Sequence, residues 1–484
     1  MPVSIRLKNQ HLLWRAGFGP MAENTELLDK TSPKLLWENL LKAASSKPEK
    51  ISVASNIMDG PEKGVQDLIQ PDKVTKEQKQ AIRKQSREDL KSLNLKWLDE
   101  MINSGAQFRE KMSLFWHGHF ACRIVNMYYQ QQLLDTIRNN AFAKFGDLLR
   151  EVSKNPAMLQ FLNNQQNKKQ HPNENFAREV MELFTMGRGN YTEADVKEAA
   201  RAFTGWGFNP RGTFVFRPFQ HDDGTKTFLG KTGNFNGDDI IDILLQQKQT
   251  ALFITKKIYR YFVNEKIEEE KIAWLANRFY ESDYDIKKLM TDIFSSDWFY
   301  DGKNIGTKIK SPIELIAGIR RMLPMELQNS NGQLLFQRAL GQILFYPPNV
   351  AGWPGGKSWI DSSTLMLRLR IPQIMTANEA INIQPKSDDD TMMGQMMNNK
   401  TAEQVNNAFA AKSGITTVDW NIVIALFQLV PKADLLAAIS DAVLQSSSKI
   451  NVVLLAKYIA NDSRENYIKS ALICLMSTPE YQLC

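Results

Sequence analysis

Four charged side chains recur at helical spacing just after Pro172: Glu174, Arg178, Glu179 and Glu182. At about 100° per residue they share one arc with Asn175, while Phe176, Ala177, Val180, Met181, Leu183 and Phe184 fill the opposite one. Glu174 with Arg178, and Arg178 with Glu182, are i,i+4 neighbours able to pair. Carboxylates a few ångströms apart raise one another's pKa and an arginine lowers it, so one carboxyl could stay protonated as an acid. Such a pair suits glycoside cleavage or divalent metal binding. The same spacing also describes a surface helix laced with solvated ion pairs.

Histidines are scarce, only five in the chain, so their placement is informative. His117 and His119 flank Gly118 in Phe115-Trp-His-Gly-His-Phe120. On a continuous helix they point about 200° apart and cannot chelate one ion as an i,i+4 pair would. A break at Gly118 would turn them to one face, and a metal would then need further ligands, for which Glu174, Glu179 and His221 are the candidates. The plain alternative packs one histidine and exposes the other. His221-Asp-Asp-Gly224 reads either as turn chemistry or as His221 presented as a general base or ligand. Trp353 and Trp359, in the Pro- and Gly-rich stretch Tyr346–Trp359, could stack on a substrate or anchor a long loop.

Several chemistries lack their motifs. There is no Gly-x-Ser-x-Gly elbow, P-loop, dinucleotide-binding glycine pattern or His-Glu-x-x-His helix. Cys122, Cys474 and Cys484 fit no Cys-x-x-Cys spacing, and the expectation is a buried thiol at Cys122.

The elements that must hold these residues are mostly helical. Pro33–Ala44 reads as an amphipathic helix, and Gln107 to about Ala143 as a long helical region, broken near His-Gly-His. Asn173 is placed to start the charged helix and Gly187 to stop it. Thr192 with Asp195 makes a capping box with Asp in place of Glu. Residues 213–231 are the best β candidate: Thr213–Phe219 and Thr225–Leu229 would pair as a hairpin around 221–224, with Pro218 limiting the first strand to an edge. The expected fold is mainly α, a large multi-helix body with one small hairpin near 213–231. Residues 1–380 form the main domain, 381–415 a polar linker or insertion, and 416–484 a C-terminal helical segment packed on the main body.

Bulk properties narrow the function classes. A formal charge of +7 over 484 residues, with acids interspersed in the basic stretch Lys73–Arg87, disfavours nucleic acid as a partner. No run of about 18 apolar residues is present to span a membrane. The opening Met1-Pro-Val-Ser-Ile-Arg-Leu-Lys8 shows no secretory signal, which makes a cytoplasmic location the default expectation.

Read together, nine segments resemble one family. They include His11-Leu-Leu-Trp-Arg-Ala-Gly-Phe-Gly19, Phe115–Phe120, Asn173-Glu-Asn-Phe-Ala-Arg-Glu179 and Glu182-Leu-Phe-Thr185. The others are Tyr191–Val196, Ala202-Phe-Thr-Gly-Trp206, His221–Gly230, Ser311-Pro-Ile-Glu314 and Pro347-Pro-Asn-Val-Ala-Gly-Trp-Pro354. Over nearly the whole chain the sequence is similar to the domain of unknown function 1800 family, in a form like that of Bacteroidetes. The resemblance implies a bacterial protein without an assigned activity, relatives that often look exported, and a companion protein of the domain of unknown function 1501 family. His119, Glu174, Arg178, Glu179, Glu182 and His221 match its motifs, whereas Gly118 stands where the family usually has Asn.

Two functions stay open on the sequence. One is a hydrolase or lyase acting on a polysaccharide or other polar polymer, in a cleft lined by His119, Glu174, Arg178, Glu182 and His221. Glu174 or Glu182 would be the acid or base, Trp353 and Trp359 the wall, with a divalent metal assisting. The other is a binding or assembly protein in which the polar helix is an ion-pair network.

Overall fold

Helix starts in this chain are written into the sequence as side chains that satisfy orphan backbone N–H groups. Ser4 caps α1 (Ile5–Ala16), and Ser32 caps α2 (Pro33–Ala44), whose Pro33 sits where its missing N–H costs nothing. The computed structural model describes residues 3–25, 27–53, 75–209, 211–377, 416–445 and 452–484. The expected linker 381–415 lies outside the described residues. The architecture is mainly α, with three two-stranded antiparallel sheets among the described residues. None of the described helices is long and apolar enough to cross a membrane.

Next along the chain come α3 (Lys76–Asn103), α4 (Gln107–His119) and α5 (Met127–Asn139). The helical region expected from 107 to 143 is therefore two helices, and the break falls after His119 rather than at Gly118. Every residue of α4 except Gly118 is buried. Phe108, Met112, Phe115 and Trp116 belong to one hydrophobic core, and Leu114 belongs to a second, so α4 runs between them.

A helix buried all round must satisfy each of its polar side chains internally. Arg109 donates to the carbonyls of Ala44 and Ser46 and to Glu110. Glu110 also accepts from Arg138 of α5 and from Trp97 Nε1 of α3. Lys111 donates to Trp14 O and to Glu314. Ser113 bonds Arg109 O, and Trp116 Nε1 bonds Ala141 O at 2.7 Å. This helix is thus located by hydrogen bonds to several others, which suits it to carry a site.

The charged segment is a short α6 (Asn175–Glu179) that widens into a π-helical turn, Val180–Thr185. Asn173 accepts the Asn175 N–H at its start, and Gly187 closes its end at φ +81°. The capping box on α7 (Glu193–Ala202) is formed by Thr192 and Asp195. The strand region differs from the expected single hairpin. β1 (Trp206–Phe208) pairs with β2 (Phe214–Phe216), and β3 (Lys226–Phe228) with β4 (Lys231–Gly233). Two causes are visible: Pro218 opens a 3-10 turn that ends β2, and Leu229-Gly230 both take positive φ, giving β3 the tight two-residue turn of a hairpin.

Three further helices complete the site's surroundings: α8 (Lys248–Phe262), α9 (Pro312–Met322) and α10 (Ser362–Ala377). β5 (Met325–Leu327) pairs with β6 (Thr416–Val418). The chain end lies beside the stretch before α9, with Lys308 and Cys484 exchanging backbone hydrogen bonds at 3.0 and 2.8 Å. Arg15 of α1 donates to Cys484 O at 2.8 Å.

Candidate functional site

The charged face of α6 binds its neighbours along the chain. Arg178 makes a two-pronged pair with Glu193 at the start of α7, both contacts at 2.7 Å, and a weaker one with Glu174 at 3.3 Å. Glu182 accepts from the Tyr191 hydroxyl at 2.6 Å. Its i,i+4 partner on the helical wheel was Arg178, but the π turn advances by less than 100° per residue and changes that register. Glu179 is half-buried, and burial followed by the charge of Glu182 raises its pKa against the pull of Arg178.

His221 sits at the other end of α7. Its Nδ1 donates to Thr204 O at 2.9 Å, its ring meets Phe216, and the next residue, Asp222, is clamped by Arg201 at 2.7 and 3.1 Å. Lys226 ties the same turn by donating to the carbonyls of Asp222 and Gly224.

His117 and His119 leave α4 in opposite directions, as helical geometry requires when Gly118 does not break the chain. His117 Nε2 accepts the Phe345 N–H at 3.1 Å, and its ring lies among Trp97, Phe345 and Trp353. Burial pulls its pKa down to about 3. His119 packs against Phe115, Trp116 and Phe120. Burial, then the charge of Lys257, holds its pKa well below the usual value despite the bond to Phe184 O. Of the expected metal ligands, Glu174 and Glu179 stay together beside Arg178, while His117, His119 and His221 are each held in other surroundings. Among the described residues no group of three or more His, Cys, Asp or Glu side chains is placed to hold a metal ion.

A cavity of about 560 Å³ opens beside His119. Its wall includes His119 and Gly118 of α4, Lys257, Arg260 and Tyr261 of α8, Lys308 and Glu314 near the start of α9, and Trp353 and Trp359. Three residues singled out by sequence, His119, Trp353 and Trp359, come together here. Glu174, Arg178, Glu179, Glu182, His117 and His221 are not among the residues that line it. The polar helix reaches this place through its backbone. The carbonyls of Leu183 and Phe184, in the last turn before Gly187, accept from Lys257 at 3.3 Å and from His119 Nε2 at 3.2 Å.

The tryptophan loop closes over α4 at its one glycine. A Cβ on Gly352, which has φ +80°, would stand 2.3 Å from Gly118 O, so the loop can come this close only as glycine. A Cβ on Gly118 itself would meet nothing within 4 Å.

The family model described as Protein of unknown function (DUF1800) matches residues 11–483. The chain belongs to this family. No curated protein and no solved structure matches it. In this DUF1800 protein most of the residues that sequence reasoning missed are cationic, joined by Tyr261 and Glu314. Lys257, Arg260 and Tyr261 are i, i+3 and i+4, one face of α8, in a run (Thr255–Tyr261) that reads as an ordinary amphipathic stretch. Glu314 and Lys111 are separated by 203 residues and meet only through folding. Glu314 accepts from Lys111, from Lys308 at 2.5 Å and from the Ser311 N–H at 2.7 Å. Burial alone would raise its pKa, but Lys111 and Lys308 outweigh that and hold the carboxyl well below the usual range. Lys257 loses solvent without an acidic partner among the described residues, and burial lowers its pKa to about 8.

Proposed function

We propose that this cavity is the active site of a hydrolase or lyase that cleaves a polysaccharide or other polar polymer. The observation that carries the reading is Lys257, with its pKa lowered to about 8 and its Nζ 3.1 Å from His119 Nδ1, on the wall of a pocket shared with two tryptophans. A base whose pKa lies near neutrality is present in both forms at working pH, which is what proton transfer needs. Indole faces suit the apolar faces of sugar rings while the charged groups orient their polar edges. The cavity volume, about 560 Å³, falls in the range of small-ligand sites.

The reading is tested by incubating the protein with a panel of neutral and acidic polysaccharides and counting new chain ends. Cleavage that falls by at least about a hundredfold in Lys257→Met supports it, since general-base groups contribute on that scale. A protein that cuts none of the panel, or a Lys257→Met variant as active as the parent, sinks it.

A structural role for the polar helix is favoured by the Arg178–Glu193 pair, which ties α6 to α7. On that reading Arg178→Ala weakens the fold and leaves ligand affinity at the cavity unchanged. A loss of affinity without a loss of stability would return the helix to the site.

A further inference from the structure

The cavity wall carries more positive charge than its neighbourhood consumes. Among the described residues four cations line it, Lys257, Arg260, Lys308 and Lys357, against two carboxylates, Glu265 and Glu314. Glu314 is already committed to Lys111, Lys308 and the Ser311 N–H. Behind the wall lie further cations, with Lys310 buried against the rings of Trp14 and Tyr481 at 3.8 and 3.7 Å. Among the described residues no ion pair or hydrogen bond holds the exposed Arg260 guanidinium. The Tyr261 hydroxyl is buried and has no hydrogen-bond partner among the described residues, and the Lys308 ammonium stands 4.2 Å over its ring. A buried hydroxyl left unpaired is destabilising unless a ligand satisfies it.

We infer that the substrate is an acidic polymer whose sugar carboxylate is seated by Arg260 and Lys308, and that it is cut by β-elimination with Tyr261 as the proton donor. This rests on the catalytic reading above. Hydrolysis of glycosides ordinarily employs two carboxyl groups flanking the bond, and here one of the two on the wall is locked in ion pairs. Elimination needs a base, a neutralised carboxylate and a proton donor, and α8 presents all three types on one face. Lys257 as the free amine takes the proton α to the carboxylate and becomes an ammonium. The C–H electron pair becomes a C=C bond, the β C–O bond breaks with its electrons on oxygen, and that oxygen takes the Tyr261 hydroxyl proton. Water returns a proton to the phenolate and accepts one from Lys257, so no oxidant, reductant or co-reactant is consumed.

The test uses the full chain with polygalacturonate, alginate and hyaluronan, each beside its carboxyl-reduced counterpart. Binding is read by calorimetry, new ends by reducing-end assay, and the C=C bond by its ultraviolet absorbance. At least one acid is expected to bind about tenfold or more tightly than its reduced form, with the preference lost in Arg260→Gln. Products are expected to carry the C=C bond, and Tyr261→Phe to slow cleavage while keeping that preference. Equal affinity for acid and reduced forms, no binding of any acid, or new ends without unsaturation overturns the inference. If neutral polymers alone are cut, the catalytic reading survives and the acidic substrate falls. If acids are preferred but uncut, elimination falls with the catalytic reading, and only the carboxylate seat is supported.

Discussion

Lys257 Nζ lies 3.1 Å from Nδ1 of His119, and this contact sets the state of both groups. An ammonium can only donate, so Nδ1 is the acceptor and the imidazole proton sits on Nε2, facing Phe184 O at 3.2 Å. His119 is therefore a neutral acceptor waiting for the protonated lysine, and burial is what makes that lysine release its proton early.

The pH dependence follows from Lys257. Its pKa is lowered from 10.5 to about 8 in the fold, so between those values the unfolded chain binds more protons than the native one. Stability then rises with pH across that window, and the lysine is a full liability below it. Lys257→Met is expected to flatten the rise in a urea titration. If Lys257 is the base, kcat/KM of the parent climbs with pH to a plateau above about 8.

Glu314→Gln should be among the most damaging single substitutions. It leaves Lys111 and Lys308 buried beside a neutral amide, and breaking such a group by removing one partner costs about 3–5 kcal/mol. Adding Lys111→Met to that variant removes one stranded charge and is expected to recover part of the loss, measured as a double-mutant cycle. Additive losses would show that the three charges are not coupled.

His117 predicts acid sensitivity. With its pKa lowered from 6.5 to about 3, it stays neutral in the fold while the unfolded chain takes up a proton as pH falls through that interval. Stability is therefore present above about 6.5 and drains away towards 3. The buried His119 and His11, also lowered, act with the same sign. His117→Gln keeps an acceptor for the Phe345 N–H and is expected to flatten the slope in urea midpoints between about pH 7 and about pH 4.

Two glycines facing each other should respond oppositely. Gly118→Ala adds a methyl into open space on a helix and is expected to stabilise by up to about 1 kcal/mol. Gly352→Ala places a methyl against Gly118 O at positive φ and is expected to destabilise by more than that. Thermal melts of the two variants decide it, and a tolerated Gly352→Ala would mean that the tryptophan loop can lift from α4.

What the sequence determined by itself was local. Ser32 with Pro33, and Thr192 with Asp195, specify helix starts because a cap and its N–H groups lie within one turn. The 200° divergence of His117 and His119 was likewise fixed once α4 stayed helical. The tertiary structure decided the rest. The π turn at Val180–Thr185 depends on neighbours that accept its register, and the strand pairings turned on Pro218 and on Leu229 taking a left-handed conformation. The cavity joins α4, α8, the start of α9 and the tryptophan loop, so its chemistry is non-local. Spacing in a sequence can place Glu174 and Arg178 on one face, but it cannot say that Lys111 and Glu314 will be buried together. That burial commits Glu314 and leaves Lys257 and Arg260 as unpaired cations of the wall among the described residues.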